Sequence, residues 1–503
     1  MHAPVRSKEI GVSEKNRYRA GIILCALIWL WPYTHGPLSQ FWPNLVAWVC
    51  GFLFFLFIYR PGTEGNKTII DGLLWAAGIS AIVALAQYFD FESIFEPLVA
   101  TTVPGYAYAN TRQTNHLASL MVIGIGISLW KIASNPSQSR HFGVALLLTT
   151  ALAATASRGG AVQLLLALLI GLYYLKPLVK IRTVAIVLLG VYFLMSWVLP
   201  EFYEMRFGEV SPRNLFHRVT GEGGCSSRFY LWGNVIELIG IRPLTGWGWE
   251  GLKYAHYDNI FSAPRFCDLL SNAHNLILQL AVSTGIPVTF AIGFVLVYFV
   301  VKQKPFFEKN ESSQIAWMIL CVIGFHQMVE YPLWFGNFQI TVVMALFMLL
   351  GKNWKNEKFH EPHDLLQGGV KKSLVFFVFM SVVFYYSYSY IKTTQLFLPK
   401  EGRLEYFQDD TRRKVGMPWF FDDQILFAYV VATDPDRNNA RDLLNASLAT
   451  LRISPEPRVI ERVIVSAALL GDMELAQYHE LRYQKAWPDY YEKWVDSQNI
   501  RNN

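Results

Sequence analysis

Long apolar runs separated by short polar stretches set the pattern of this chain. About 20 apolar residues are needed to cross a bilayer as a helix. On that measure the runs predict eleven spans, near 20–33, 41–59, 70–88, 115–131, 142–157, 159–175, 183–200, 273–301, 314–330, 332–350 and 373–391. The run at 273–301 is interrupted by Gly285-Ile286-Pro287 and resumes through to Lys302. At about 1.5 Å per residue that break lies roughly 17–20 Å along the helix from His274, deep enough for a proline to kink the wall of a groove for lipid tails. Proline kinks are also common in ordinary spans.

Past residue 391 the period changes. "NNARDLLNASLATLRIS" and "PRVIERVIVSAALLGDMELAQYHELRYQKAWP" place apolar residues three and four apart, joined by short breaks bearing proline or glycine, which predicts a soluble helical domain over 392–503. The stretch "AALLGDMELAQYHELRYQKAWP" resembles the hinge of a tetratricopeptide-type hairpin, although one or two units do not make a repeat. The domain serves either packing or the binding of a protein substrate. Its last residues, "DSQNIRNN", are expected to be disordered.

Composition agrees with the pattern: 53% hydrophobic and 15% aromatic residues with 16% charged describe an all-α polytopic membrane protein. The formal net charge of +6 is then read first as topology. Arg6, Lys8, Lys15, Arg17 and Arg19 precede the first span, and Arg60, Lys67, Lys131, Arg140, Lys176, Lys180, Arg182, Lys302, Lys304, Lys352, Lys355 and Lys358 fall in loops on that same side. The positive-inside rule makes that side cytoplasmic, which places the long loop 201–272, His274 and the segment 392–503 outside. The first span has a long basic leader and no small-x-small cleavage pattern, so it is expected to remain as an anchor. Cys25, Cys50, Cys225, Cys267 and Cys321 form no CxxC pair, which removes the usual zinc and thioredoxin signatures. Cys225 and Cys267 share the outer loop and can bridge its ends in an oxidising compartment; spacing alone leaves the pairing open.

Four polar islands interrupt the apolar sequence on the expected outer face. "YANTRQTNHLASL" carries Arg112, Gln113, Asn115 and His116 at the entrance of the fourth span. "ASRGGAVQ" sets Arg158 in a tight turn between two spans. An arginine at the centre of a membrane costs about 2.5–3.5 kcal/mol on insertion scales and less near an interface, so Arg158 either snorkels there or has a partner and a function. "CSSRFYLWGNVIELIGIRPLTGWGWEGLKYAH" starts an amphipathic helix at Arg228 and supplies Arg242. Its Trp247 and Trp249 suit either an interfacial belt or stacking on a sugar face. The last island joins His274-Asn275 with "FHQMVEYPLWFGN", where Glu330 and Tyr331 stand at an outer turn before Pro332.

In this order, "QTNHLASLMVIG", "SRGGAVQLLLALLIGL", "SSRFYLWGNVIELIGIRPLTGWGWEGL", "NAHNLILQLAVSTGIP" and "HQMVEYPLWF" resemble the blocks of the O-antigen ligase and polymerase superfamily of bacterial inner-membrane glycosyltransferases. With the soluble C-terminal domain, they look most like its pilin-type O-oligosaccharyltransferases. The resemblance covers roughly residues 100–350, and beyond them rests on architecture. Ligases often follow His-Asn with nine residues, a glycine, two residues and a small or hydroxylic residue, where this chain has Val288. That departure favours protein glycosylation over transfer to lipopolysaccharide.

The resemblance implies a GT-C-like fold, with a membrane domain over 1–391 that includes the loop 201–272 and a periplasmic domain over 392–503. It also implies periplasmic en bloc transfer of an oligosaccharide from an undecaprenyl-diphosphate carrier to a serine or threonine hydroxyl of a pilin-like protein. The residues suit that reaction on chemical grounds. Imidazole, with an ordinary pKa of about 6.5, accepts a proton near neutral pH, which makes His274 the candidate base; the alternative is an interfacial residue at a helix start. Guanidinium groups pair with phosphate oxygens, so Arg158, Arg228 and then Arg112, with Arg242 behind, are the diphosphate candidates. Gln113, Asn115, His116, Asn275, Glu330, Tyr331, Trp247 and Trp249 are candidates to bind or orient substrate, and hydrogen bonds that merely pack helices explain the polar ones as well. No acidic pair stands ready for a divalent metal on this face, so a metal-independent reaction without cofactor is expected. Membrane lipid is an expected partner and nucleic acid is not. A secondary transporter would carry its ionisable groups mid-span within an internal repeat, a pattern not seen here. A noncatalytic assembly protein leaves the arginine-histidine set unexplained, and an O-antigen ligase or polymerase differs only in its acceptor.

Overall fold

The computed structural model describes residues 5–135, 139–175, 179–216, 224–351 and 369–502, whose regular structure is entirely helical, with no strand among them. Of the basic residues read as topological markers, Lys176, Lys352, Lys355 and Lys358 lie outside the described residues, as do the side chains of Arg6 and Lys8.

In chain order the helices are α1 (Val5–Leu30), α2 (Phe41–Leu53, continued by a π-helical turn Phe54–Ile58), α3 (Thr63–Tyr88), α4 (Thr114–Ser134), α5 (Ser139–Ala154), α6 (Arg158–Tyr174) and α7 (Val179–Phe207). They continue with α8 (Arg228–Ile241), α9 (Gly251–Asp258), α10 (Leu276–Thr284), α11 (Ile286–Gln303), α12 (Glu311–Gln327), α13 (Gly336–Leu350) and α14 (Gly369–Thr394). The C-terminal set is α15 (Thr411–Val415), α16 (Asp422–Ala432), α17 (Ala440–Leu451), α18 (Pro457–Leu469), α19 (Met473–Ala486) and α20 (Pro488–Asn502). Among the described residues six segments are long and apolar enough to cross a membrane: Phe41–Ile58, Thr63–Tyr88, Thr114–Ser134, Lys180–Phe207, Ile286–Phe307 and Val370–Phe397. Arg158–Tyr174 and Gly336–Leu350 are shorter apolar helices. The protein is thus an all-α polytopic membrane protein.

Every expected span overlaps a helix, with three differences. The run 273–301 is two helices, because Gly285 takes φ +83° and ends α10. The turn 243–248 lies across that end: Trp247 N–H donates to Val282 O at 2.8 Å, Gly248 N–H to Ser283 O at 3.0 Å, and Ile286 N–H to Pro243 O at 2.8 Å. A Cβ on Gly285 would stand 2.2 Å from the Leu244 carbonyl oxygen, and one on Gly246 2.5 Å from the Ser283 carbonyl carbon. The expected kink is therefore a true break, and no continuous helix carries the depth measured from His274. The helix expected to end near 200 continues through Pro200 to Phe207. The final residues, expected to be disordered, extend α20 to Asn502, past Tyr491 and Trp494, whose rings pack on Tyr483.

The chain packs as two compact units, residues 1–221 with 300–375, and 222–299 with 376–503. In the first, α4 is the central helix, packed by α3, α5, α6 and α12, with residues from His116 through Trp130 buried. Its small residues permit this: a Cβ on Gly124 would meet the Ala77 Cβ at 2.7 Å, the close approach that helix packing in membranes favours. The irregular segment before α4 hangs on two buried amides. Gln87 donates to Ala100 O at 2.6 Å and to Ala109 O at 3.2 Å, and accepts from Ala109 N–H at 2.6 Å. Asn110 donates to Leu30 O at 2.7 Å and accepts from Ala100 N–H at 2.9 Å.

The second unit joins the large loop to the C-terminal helices. Helices α8, α9 and α10 share a core of Leu231, Val235, Leu238, Leu252 and Val282, and Cys225 and Cys267 form a disulfide with Cα atoms 5.5 Å apart. A second core of Val459, Ile460, Val463 and Tyr483 holds the C-terminal helices and includes Tyr257 of α9. The Tyr257 hydroxyl lies 2.9 Å from His479 Nδ1. Arg482 donates to the Asp258 carboxylate at 3.2 Å, and Tyr478 to the same carboxylate at 2.8 Å. Between α18 and α19, Gly471 takes φ +80° and the Asp472 carboxylate accepts from Leu475 N–H at 3.0 Å, a glycine stop followed by a new N-cap.

Candidate active site

Helix α6 starts where the sequence placed a polar turn. Ser157 caps it, accepting from Gly160 N–H at 2.9 Å, and Arg158 is the exposed first helical residue. The same Ser157 hydroxyl donates to Asn115 Oδ1 at 2.7 Å, and Asn115 Nδ2 donates to Glu330 Oε1 at 3.1 Å. Three expected site segments are thereby tied together within the first unit: the start of α4, the start of α6 and the turn after α12. Glu330 is 6% exposed. A buried carboxyl group needs hydrogen-bond partners, and the Asn115 amide supplies one of them.

A second buried set lies one turn further into the bundle. Ser119 Oγ donates to Gln163 Oε1 at 3.0 Å and stands 2.7 Å from His326 Nδ1. His116 is buried, its ring edge-on to Phe335 at 4.2 Å, to Phe338 at 5.0 Å and to His326 at 5.6 Å. Tyr331 stacks on Phe335 at 5.8 Å. Gln113 is half-buried ahead of the first turn of α4. Arg112 takes the left-handed conformation, φ +57°, and donates to Pro32 O at 2.6 Å, which fastens the entrance of α4 to the end of α1.

In the second unit His274 occupies a left-handed position, φ +49°, uncommon for a residue with a side chain. Its neighbours fix it there. His274 N–H donates to Asn272 Oδ1 at 2.8 Å, and Ala273 N–H to Gln279 Oε1 at 2.8 Å. Trp232 of α8 donates to Ala273 O at 3.0 Å, and Asn275 caps α10 by accepting from Leu278 N–H at 3.1 Å. The imidazole is half-exposed, presented by backbone that is hydrogen-bonded at Ala273 and at His274 N–H. Arg228 is the first residue of α8, and α8 packs on α10. Trp247 spends its indole N–H on Leu238 O at 2.9 Å and one ring face on Arg242, 4.0 Å from the centroid, whereas Trp249 is 65% exposed.

The sequence reading missed Ser157, Ser119, Gln163, His326, Asn272 and Gln279. Ser157 had a signal, a serine directly ahead of an apolar helical run. His326 sits one helical turn before Glu330, and the buried glutamines look like ordinary span residues until their partners are known. Among the described residues no three of His, Cys, Asp and Glu cluster as metal ligands would.

Comparison with known proteins adds a family. Residues 143–293 match the O-antigen ligase family, and residues 314–500 match the family described as virulence factor membrane-bound polymerase, C-terminal. The chain is 24% identical over 313 residues to the ComP-specific O-oligosaccharyltransferase of Acinetobacter baylyi, covering 61% of this chain and 56% of that protein. It is 23% identical over 289 residues to the general O-oligosaccharyltransferase of the same organism, covering 56% of this chain and 50% of that protein. The chain thus spans about half the length of the curated relatives it matches. No solved structure matches. These matches, which fall on the blocks around Arg158, Arg228, His274 and Glu330, make the chain similar to proteins of the O-antigen ligase family and to O-oligosaccharyltransferases.

Proposed function

We propose that this protein is an O-oligosaccharyltransferase that moves a preassembled glycan from an undecaprenyl-diphosphate carrier to a serine or threonine hydroxyl of a pilin-like acceptor, at the periplasmic face of a bacterial inner membrane. The observation that carries the reading is His274, a half-exposed imidazole in a left-handed backbone position with hydrogen bonds on both sides. Such over-determined positions collect at active sites. The two relatives named as O-oligosaccharyltransferases support the reaction class.

In this reading the acceptor oxygen attacks the anomeric carbon, the bond from that carbon to the diphosphate oxygen breaks, and His274 takes the hydroxyl proton. Arg158 and Arg228, each the first residue of its helix, stabilise the charge that develops on the leaving diphosphate. Arg112, held on Pro32, keeps the entrance of α4 in place. Asn115 and Glu330 position α6, Asn275 positions His274, and Trp249, Gln113 and Tyr331 meet sugar or acceptor. Residues 1–391 form the membrane domain and 392–503 the periplasmic helical domain of this reading, with the loop helix α9 docked on the latter.

A second reading, glycan polymerisation or ligation, is favoured by the family matched over residues 314–500, which is described as a polymerase. The two are separated by expressing the chain in a bacterium that makes a lipid-linked oligosaccharide, together with a candidate pilin, and measuring the intact pilin mass. A glycan-sized gain that disappears in His274→Ala at equal membrane expression is the expected result. An active His274→Ala variant assigns the histidine to structure. Unmodified pilins together with longer carrier-linked glycans or a glycosylated lipid A core give the second reading its place.

A further inference from the structure

After α14 the chain doubles back along the helix it has just left. Phe421, 2% exposed, stacks on Tyr386 at 5.3 Å and lies 5.4 Å from Tyr390; Phe420 packs edge-on to Tyr386 at 5.0 Å, and Trp419 stands 6.4 Å from Tyr385. The segment is clamped to α14 by Phe421, yet three of its large side chains are left exposed: Trp419 by 84%, Met417 by 69% and Phe420 by 49%. The same helix exposes Phe384 and Phe377 by 74% and 69%, on a segment long and apolar enough to cross a membrane.

Beside this segment lies a cavity of about 660 Å³ lined by Arg412, Arg413, Met417, Ile425, Leu426 and Tyr429 among others. Its lining mixes charged and apolar side chains. The Arg412 guanidinium lies 3.6 Å from the centre of the Tyr429 ring, and Arg413 is exposed beside it. Asp410 lines the cavity too, so two guanidinium groups accompany one carboxylate, and the rest of the wall is Thr411, Gly416, Met417, Ile425, Leu426 and Tyr429. A phosphate with an attached acyl chain has this mixture of charge and oil.

We propose that residues 412–421 form a membrane hook, with Met417, Trp419 and Phe420 inserted in the leaflet beside α14 and one anionic phospholipid bound in the adjoining cavity, its phosphate on Arg412 and Arg413. The hook fixes the C-terminal helices against the bilayer independently of the transfer chemistry. Lipid is favoured over a protein partner because the exposed apolar side chains continue the apolar surface of α14, and because aromatic residues next to cations are the composition of membrane interfaces.

The test uses the full chain in nanodiscs of phosphatidylcholine, with and without anionic phosphatidylglycerol. A nitroxide label on Trp419→Cys, in a Cys321→Ala background, is expected to collide with oxygen more than with a water-soluble nickel chelate, while the same label on Tyr490→Cys shows the reverse order. Native mass spectrometry is expected to find one phosphatidylglycerol retained by wild type and at least tenfold less by the Arg412→Gln/Arg413→Gln variant. A label at 419 that meets the nickel chelate freely overturns the hook. Shielding from both agents puts a protein partner or a second copy in place of lipid, and equal retention by the variant removes the phospholipid site. Should the Trp419 variant fail to fold, the label at Met417→Cys gives the same reading.

Discussion

At the scale of single residues, side chains that look interchangeable in sequence divide sharply by what they touch. His116 and His274 are both histidines near the start of a helix. The first is sealed between Phe335, Phe338 and His326, while the second is half-exposed on strained backbone. In the function proposed above it is the second that takes the acceptor proton. Asn115, read as a sugar or diphosphate ligand, spends its amide on Glu330 and its carbonyl on Ser157, which leaves it a positioning role. Replacing Ser157 by alanine removes both an N-cap and the Asn115 contact. The expected loss is about 1 kcal/mol in denaturant unfolding of the detergent-solubilised protein. Because the helix so capped begins with Arg158, the proposed function expects the KM for a lipid-linked donor to rise about fivefold, the equivalent of that energy, and Ser157→Thr to restore it. A KM that stays at the wild-type value while stability falls would separate Ser157 from donor binding.

At the scale of elements, apolar runs located the helices because a membrane helix must satisfy its own backbone and present apolar side chains along its length. The run-based reading erred where two segments distant in sequence share backbone hydrogen bonds. The turn 243–248 crosses the end of α10, and Gly246 and Gly285 are the two places where no Cβ fits. Nothing in an apolar count reports that contact. Gly285→Ala sets a Cβ against the Leu244 carbonyl and forces φ +83° on an alanine. The left-handed conformation alone costs roughly 1–2 kcal/mol, so the melting temperature of the purified protein drops by several degrees. Gly293→Ala, where an added Cβ meets nothing within 4 Å, leaves it unchanged and is the control. Equal behaviour of the two variants would mean that the break after α10 does not depend on this contact.

At the scale of the whole molecule, the loop and the C-terminal helices form one unit because α9 docks on α19 through Tyr257, Asp258, His479, Tyr478 and Arg482. That unit is expected to be sensitive to acid. Burial, with Arg482 close by, holds the His479 imidazole down at about 4, and burial next to Arg265 pushes His256 down to about 2. Both lie below the ordinary value of 6.5. The unfolded chain therefore takes up protons near that value while the folded chain does not, so stability is full above it and is lost as the pH falls towards 4. Thermal melting of the full chain at steps between pH 7.5 and 4.5 is expected to show this decline, and His479→Gln to flatten it. A melting temperature independent of pH in that window would remove the two histidines from the stability of the unit.

The sequence by itself determined the class of molecule, the helical segments and the residue types able to do the chemistry, since hydropathy, charge placement and turn residues act over a few neighbours at a time. It marked Arg158, Arg228, His274 and Glu330, each beside a recognisable helix end, and the polar blocks that resemble those of the O-antigen ligase superfamily. Tertiary structure decided what these residues contact. The link from Ser157 through Asn115 to Glu330 joins positions 42 and 215 residues apart; Cys225 meets Cys267 across a separation of 42; and α9 meets α19 across more than 200. Such pairings are fixed by which surfaces the packed helices leave adjacent. Local periodicity carries no record of them, because the free energy that selects them comes from burial and hydrogen bonding between segments rather than within one.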